Sequence, residues 1–399
     1  MKILVFFIIA MLFFCCGCSP AKEPVMAEKA DSVWIIDKRD ILPIFYEDTN
    51  RPLAIFEPME GCMLGASVTE DPWIEGDWEI FEDVSEKEHH IYERSMTVGE
   101  DFPLMWALEC YTKGRIPMVS LYPENMKKPF QKKDMEKAAE KIGAFQVPIL
   151  LRLYPNPSDL GTAQEYQEFF RYASAQLHRK APNAVVVWSI PFRHVDIAKE
   201  YYPGDKAVDW IGLDILQKST SEEELMGKRF EMWYYLFQKK KPLMISRLGI
   251  SHYSTKDSTY TENAAAKEIT DFYASLQQYP AVKAVVYFDI NFTTQAQQGL
   301  IRENYVLTES ADILQAYQKA IANPWFSPRE GVRWLRSPYR GYLLEDKFYI
   351  PKGAVENDLL ASVKGEPIYI NGEECYFLGD VEGYRIGLRD GCLWLSAKP

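Results

Sequence analysis

Arginines, carboxylates, amides and aromatic rings recur just past the apolar runs of this chain, where a buried strand would hand its side chains to a loop. In order they are Ser120, Tyr122 and Glu124; Arg152, Tyr154 and Asn156; Trp188 with Phe192-Arg193-His194; Asp214; Arg247; and Asp289 with Asn291. These types suit a polyhydroxylated ligand, because amides and carboxylates hold vicinal hydroxyls while aromatic rings pack on the C–H face of a pyranose. Tyr122, Arg152, Tyr154, Asn156, Trp188, Asp214, Arg247 and Asp289 are therefore the expected ligand-binding set. Carboxyls at such positions can also act as acid and base, and Glu124, Asp214 and Asp289 are the ones placed to do so. Other chemistries lack their motifs: there is no GxSxG elbow, no HExxH and no P-loop. Cys62, Cys110, Cys375 and Cys392 show no CxxC or Cys/His spacing, so neither a metal nor a cofactor is expected. His89-His90 and His194 are expected on loops or strand ends without metal.

The elements that must position these groups alternate in type. Apolar runs at 61–68, 89–98, 115–123, 147–155, 184–191, 208–216, 242–251 and 282–291 read as strands. Amphipathic stretches lie between them, among them 102–113 closed by Gly114, 131–144, one capped by Thr162, and 262–278; 311–323 follows the last strand. Ser221-Glu222-Glu223-Glu224 reads as a capping box that opens another helix. The strands are apolar throughout rather than alternating, as parallel strands buried on both faces must be. Eight strand–helix alternations over about 260 residues is the count of a (β/α)8 barrel. A doubly wound sheet is disfavoured because no Gly-rich turn follows the first strand.

After Pro324-Trp325 the pattern becomes short strand runs, including 342–344, 347–351, 359–363, 367–370, 374–378, 383–388 and 392–396. Asn371-Gly372 and Asp390-Gly391 are hairpin signals between them. The expected division is 1–18 signal segment, 19–50 tether and lead-in, 51–325 barrel, and 326–399 small all-β domain with a structural or protein-interaction role. The first dozen apolar residues after Lys2 are too short to span a bilayer and right for a signal core. Gly17-Cys18 ends that core as a bacterial lipobox would, so Cys18 is the expected lipidation site, with an exported chain held at the membrane of the cell envelope. In that setting Cys375 and Cys392 could oxidise to a disulfide. The 45 basic against 57 acidic residues give a net charge of −12, and no basic stripe accompanies them, so nucleic acid is not an expected partner.

From about Gly61 to Asn291 the chain resembles glycoside hydrolase family 26, which contains β-mannanases and related β-glycanases. The resemblance rests on Gly114-Arg115-Ile116-Pro117-Met118-Val119-Ser120 after Trp106, Pro148-Ile149-Leu150-Leu151-Arg152-Leu153, and Val186-Val187-Trp188-Ser189. It continues through Tyr202-Pro203-Gly204-Asp205, Val208-Asp209-Trp210-Ile211-Gly212-Leu213-Asp214, Lys241-Pro242-Leu243-Met244-Ile245 and Ala284-Val285-Val286-Tyr287-Phe288. It implies a barrel whose fourth strand carries an Arg followed by a His-Glu acid/base pair and whose seventh strand ends in a nucleophilic Glu. In that register Asn156 and Arg247 stand where the two glutamates would be. A retaining glycosidase needs one carboxyl to protonate the leaving oxygen and a second to attack the anomeric carbon. An amide supplies no such proton, and a guanidinium has no lone pair to attack with.

Three functions follow as expectations. The first is a lipid-anchored relative of the glycanases that binds polysaccharide or envelope glycan without hydrolysis. The second is an active β-glycanase using relocated carboxyls, Glu124, Asp214 and Asp289. The third is a protein-interaction scaffold. Asp214 and Asp289, on the strands flanking the seventh, are expected to clamp Arg247.

Overall fold

The computed structural model describes residues 28–30, 33–36, 38–219, 221, 223–295 and 301–398; Cys18 and the apolar run before it lie outside them. Eight parallel strands close into a barrel: β1 (Met63–Ser67), β2 (Ile91–Thr97), β3 (Ile116–Tyr122), β4 (Ile149–Leu153), β5 (Ala184–Pro191), β6 (Trp210–Gln217), β7 (Leu243–Ile250) and β8 (Val282–Phe288). Neighbours pair in chain order, and β8 closes on β1 from Ala284 opposite Met63 to Phe288 opposite Ser67. The helices between them are α1 (Trp78–Ser85), α2 (Leu104–Thr112), α3 (Lys132–Gly143), α4 (Ala163–Lys180), α5 (Ala198–Tyr201), α6 (Lys228–Phe237) and α7 (Glu262–Ser275), with α8 (Ala311–Ile321) after β8. The expected (β/α)8 barrel is the fold.

Local signals set several boundaries. Thr162 accepts the Glu165 backbone N–H while the Glu165 carboxylate takes the Thr162 N–H, a complete capping box for α4. Gly114, at φ +74°, turns the chain out of α2. The Ser221 box does not start a helix: α6 begins at Lys228 behind Gly227, and the Ser221 hydroxyl accepts the Glu223 N–H.

Two layers fill the barrel. Toward the N-terminal ends of the strands, Met63, Ile91, Met118, Leu150, Val185, Val187, Trp210, Met244, Ala284 and Val286 form an apolar plug. One pleat further along, the inward positions become polar, with Glu93, Ser120, Arg152, Ser189, Asp214, Ser246 and Arg247. Beneath the plug, the indole N–H of Trp210 donates to the Ile55 carbonyl at 2.9 Å, and Arg51 grips Glu57 with two bonds of 2.6 and 2.7 Å.

Among the described residues the chain divides into two compact units, one from 28–42 with 339–382 and the other from 43–338 with 383–398. This differs from the expected single break at 325/326. In the second unit, Leu393–Leu395 pairs in parallel with Ile44–Tyr46, and Phe45 stacks on Trp394 at 4.4 Å, so the last strand is part of the barrel unit. The first unit is a sheet in which Val33–Ile35, Ile368–Ile370, Glu373–Phe377 and Lys347–Pro351 lie side by side around Ile370 and Cys375. The Asn371-Gly372 and Asp390-Gly391 turns have positive φ at both residues, as tight hairpins require. The expected strand at 359–363 is not formed: Val355–Leu359 is a helical turn that Leu360 ends in the left-handed region. Cys375 and Cys392 are both buried, free thiols.

Candidate functional site at the barrel mouth

Arg152 of β4 lies almost wholly inside the barrel. Its guanidinium donates to Ser189 Oγ at 3.0 Å, to Ser120 Oγ at 2.8 Å, and to the Asp214 carboxylate. Asp214 takes a further bond of 2.6 Å from Ser246 Oγ. Ser246 reaches it because β7 carries one residue more than β6 here: Ile245 is opposite Leu213, but Arg247 is opposite Asp214. The bulge turns both Ser246 and Arg247 toward the barrel axis. Gly212 makes room for it, since a Cβ there would fall 2.5 Å from Ser246 Oγ and 2.9 Å from Ser189 Cβ.

Arg247 sits above this layer, 9% exposed. It crosses the mouth to donate to Glu93 Oε1 of β2 at 2.7 Å, to Ser95 Oγ at 2.9 Å and to Tyr122 Oη of β3 at 2.7 Å. Its planar group lies over the Phe288 ring, 4.5 Å from the centroid. Arg152 is also 3.9 Å from the same Glu93 oxygen. Burial by itself would push the Glu93 carboxyl up, but the charges of Arg247 and Arg152 and the hydroxyls of Ser120 and Ser67 outweigh it and hold the group below its usual range.

The expected clamp of Arg247 by Asp214 and Asp289 is therefore not what forms. Asp214 already serves Arg152 and Ser246. Asp289 follows the inward Phe288, so alternation turns it out of the barrel, where Oδ1 accepts the Leu307 N–H at 2.7 Å. There it faces Asp71, and complete burial together with that neighbouring acid raises its pKa well above the ordinary carboxyl value. Glu93, which receives Arg247 instead, was absent from the expected site residues; its only signal in sequence is an acid inside an otherwise strand-like run.

Two expected stacking residues are also elsewhere. Trp188, 0% exposed, points away from the barrel axis between the inward Val187 and Ser189, and packs edge-on against Tyr202 and Phe237 of the outer layer. Tyr154, 1% exposed, has φ +45° and stacks on Phe169 of α4 at 4.9 Å. Asn156 is half-buried in a left-handed conformation at the start of a short turn, Pro157–Asp159. Glu124 is exposed beside Gly99, and Asn291 is buried with its side-chain oxygen taken by Thr293. His194 meets Ser158 Oγ at 2.6 Å. His89 is buried between the Lys87 carbonyl and Tyr317 Oη.

Chemically, the mouth is a set of crossed guanidinium–carboxylate pairs ringed by hydroxyls. Glu93 is held ionised, so it is not poised to give up a proton, and the Asp214 carboxylate is taken up by the bonds it accepts from Arg152 and Ser246. Asp289, whose raised pKa would suit an acid, faces the outer layer. The groups near the surface, Ser95, Tyr122 and Asn156, offer hydroxyl and amide contacts.

No protein-family model matches the chain, and no curated protein matches it. Among solved structures it is similar to a GH26 β-mannanase from Bacteroides ovatus, with a TM-score of 0.54 and 14% identity over 67% of this chain and 90% of that one. It is also similar to GH26C from Muricauda sp. MAR_2010_75, with a TM-score of 0.53 and 11% identity over 68% and 91% of the two chains. At these identities the likeness is one of fold alone, the (β/α)8 barrel.

Proposed function

We propose that this chain is a lipid-anchored protein of the bacterial cell envelope whose barrel binds a polysaccharide or envelope glycan without the retaining hydrolysis of glycoside hydrolase family 26. The observation that carries the reading is the Arg247–Glu93 pair at 2.7 Å: the β7 residue that the family resemblance aligns with the nucleophile is a neutralised cation. The half-buried amide of Asn156 after β4 supports it, since that position offers no acid. The hydroxyl and amide groups around the mouth are suited to sugar hydroxyls.

The test is a glycan array with the mature chain, run beside a reducing-sugar release assay on β-mannan and mixed-linkage β-glucan. Binding without release is the expected result; release by the wild type at any rate above a heat-killed control overturns the reading, and absence of binding to every glycan favours a scaffold. The anchor is tested separately: a clickable fatty acid should label the wild type in cells and leave Cys18→Ser unlabelled, and equal labelling would remove Cys18 from the proposal.

A further inference from the structure

Two of the rings expected to stack on sugar, Trp188 and Tyr154, are core residues, yet two other aromatic rings stand open on the loop side of the barrel. Tyr260, 55% exposed, lies on the β7–α7 connection, and Trp73, 64% exposed, on the β1–α1 connection. In this architecture ligands meet the loops at the C-terminal ends of the strands, and both rings are on such loops.

The Tyr260 ring is held by its neighbours, and Trp73 sits on a loop whose backbone is braced. Tyr260 belongs to a three-stranded rim sheet in which Thr259–Tyr260 and Glu303–Asn304 flank Tyr253–Ser254. Its ring packs on Tyr253, centroids 4.6 Å apart, and lies nearly parallel to buried His252 at 6.1 Å. Its hydroxyl donates to Glu309 Oε1 at 3.4 Å, while Glu309 also receives the Asn304 amide and lies 3.4 Å from His252 Nε2. The backbone N–H of Trp73 donates to Asp71 Oδ1 at 2.8 Å, and Asp71 accepts Thr308 Oγ1 at 2.6 Å. Both aromatic loops are thus tied to the stretch 303–309, one through Glu309 and Asn304, the other through Thr308. Ordering an exposed ring costs conformational entropy that its own burial does not return; for Tyr260 the packing on Tyr253 and the Glu309 bond offset it, and at Trp73 the loop backbone is what is fixed.

We propose that Tyr260, a pre-ordered ring, and Trp73, an exposed ring on a braced loop, are stacking platforms for pyranose rings, forming accessory subsites on the β7–β8–β1 side of the mouth. This rests on the glycan-binding reading above and assigns to it a neutral sugar face as the recognised feature, with hydroxyl contacts secondary. An aromatic ring presents its largest apolar face to the axial C–H groups of a sugar, and fixing the ring beforehand lowers the cost of binding.

The experiment is titration of the mature chain with soluble β-mannan, glucomannan and mixed-linkage β-glucan by calorimetry, with thermal unfolding run on every variant. Tyr260→Ala and Trp73→Ala should each weaken the binding shown by the wild type roughly three- to tenfold with the unfolding midpoint unchanged. Tyr260→Phe, which keeps the ring and loses the Glu309 bond, should stay within about twofold of the wild type. Intrinsic fluorescence should shift on glycan addition in the wild type and shift less in Trp73→Ala. Wild-type binding that both alanine variants retain in full overturns the platforms and leaves the glycan-binding reading standing. Loss in Tyr260→Phe as large as in Tyr260→Ala also overturns them, because the hydroxyl and not the ring would then be the contact. A wild type that binds none of the three glycans overturns the platforms and counts against the broader reading as well.

Discussion

Glu93 holds two guanidiniums from opposite sides of the barrel, Arg247 at 2.7 Å and Arg152 at 3.9 Å, and it does so inside the protein. A carboxylate so buried is stable only because those charges and the nearby hydroxyls replace water. Removing one partner of such a pair leaves the other uncompensated, so Arg247→Ala should destabilise the protein by about 3–5 kcal/mol in urea unfolding. The Glu93 pKa should rise as Arg247 is lost, since burial then meets less opposing charge. Replacing both, in Glu93→Gln/Arg247→Met, should recover a large part of the loss. A cost below about 1 kcal/mol for Arg247→Ala would mean the pair is solvated and worth no more than a surface ion pair. This residue-scale pattern was only half legible in the sequence. That a mouth arginine needs an acid follows from elementary electrostatics, and Arg247 has one. Which acid depends on pleat alternation, which turns Asp289 outward, and on the prior engagement of Asp214 by Arg152. A chain-neighbour argument sees neither of these, and it overlooks that a long side chain can span the mouth to β2.

At the scale of elements, periodicity carried most of the barrel because its strands obey one rule, apolar on both faces, and its helices another. Gly114 and the Thr162 cap ended or began helices where they were expected, since each satisfies backbone groups locally with no help from the fold. The Asn371-Gly372 and Asp390-Gly391 turns behaved likewise. Ser221 failed as a cap because its hydroxyl bonds the Glu223 N–H in a turn, a local structure that the same residue types support equally well. The bulge at Ser246 had no signal: it exists because Gly212 on the adjoining strand leaves room, a relation between residues far apart in the chain. Trp188 shows the matching limit for aromatics. Within a strand buried on both faces, composition does not say which face a ring takes, and register put this one in the outer layer against Tyr202 and Phe237.

At the scale of the whole molecule, buried titratable groups with opposite sign set how stability depends on pH. Asp289 has its pKa raised, first by burial and then by the charge and hydrogen bond of Asp71. The folded state therefore holds this proton more tightly than the unfolded chain does, so its contribution is complete below the ordinary carboxyl range and is lost as pH rises through the folded value. Lys283, buried at the start of β8 with its ammonium donating to the Met59 carbonyl at 2.7 Å, is the reverse case. Burial, opposed by the charges of Glu57 and Cys62, lowers it from 10.5 to about 8. Between those values the unfolded chain keeps a proton that the folded one has released, so folding gains stability as pH rises across the window, by about 3 kcal/mol at one pH unit to 1.36 kcal/mol. Two substitutions separate the contributions in urea unfolding followed from pH 5 to 10. Asp289→Asn keeps an acceptor for the Leu307 N–H and offers Asp71 a donor without a titrating proton; relative to it, the wild type should lose stability as pH rises out of the acid range. Relative to Lys283→Met, the wild type should gain stability above about pH 8. Parallel curves for wild type and Asp289→Asn would show that Asp289 does not keep its proton beyond the acid range, and parallel curves for Lys283→Met would show that water reaches the lysine beneath the apolar plug.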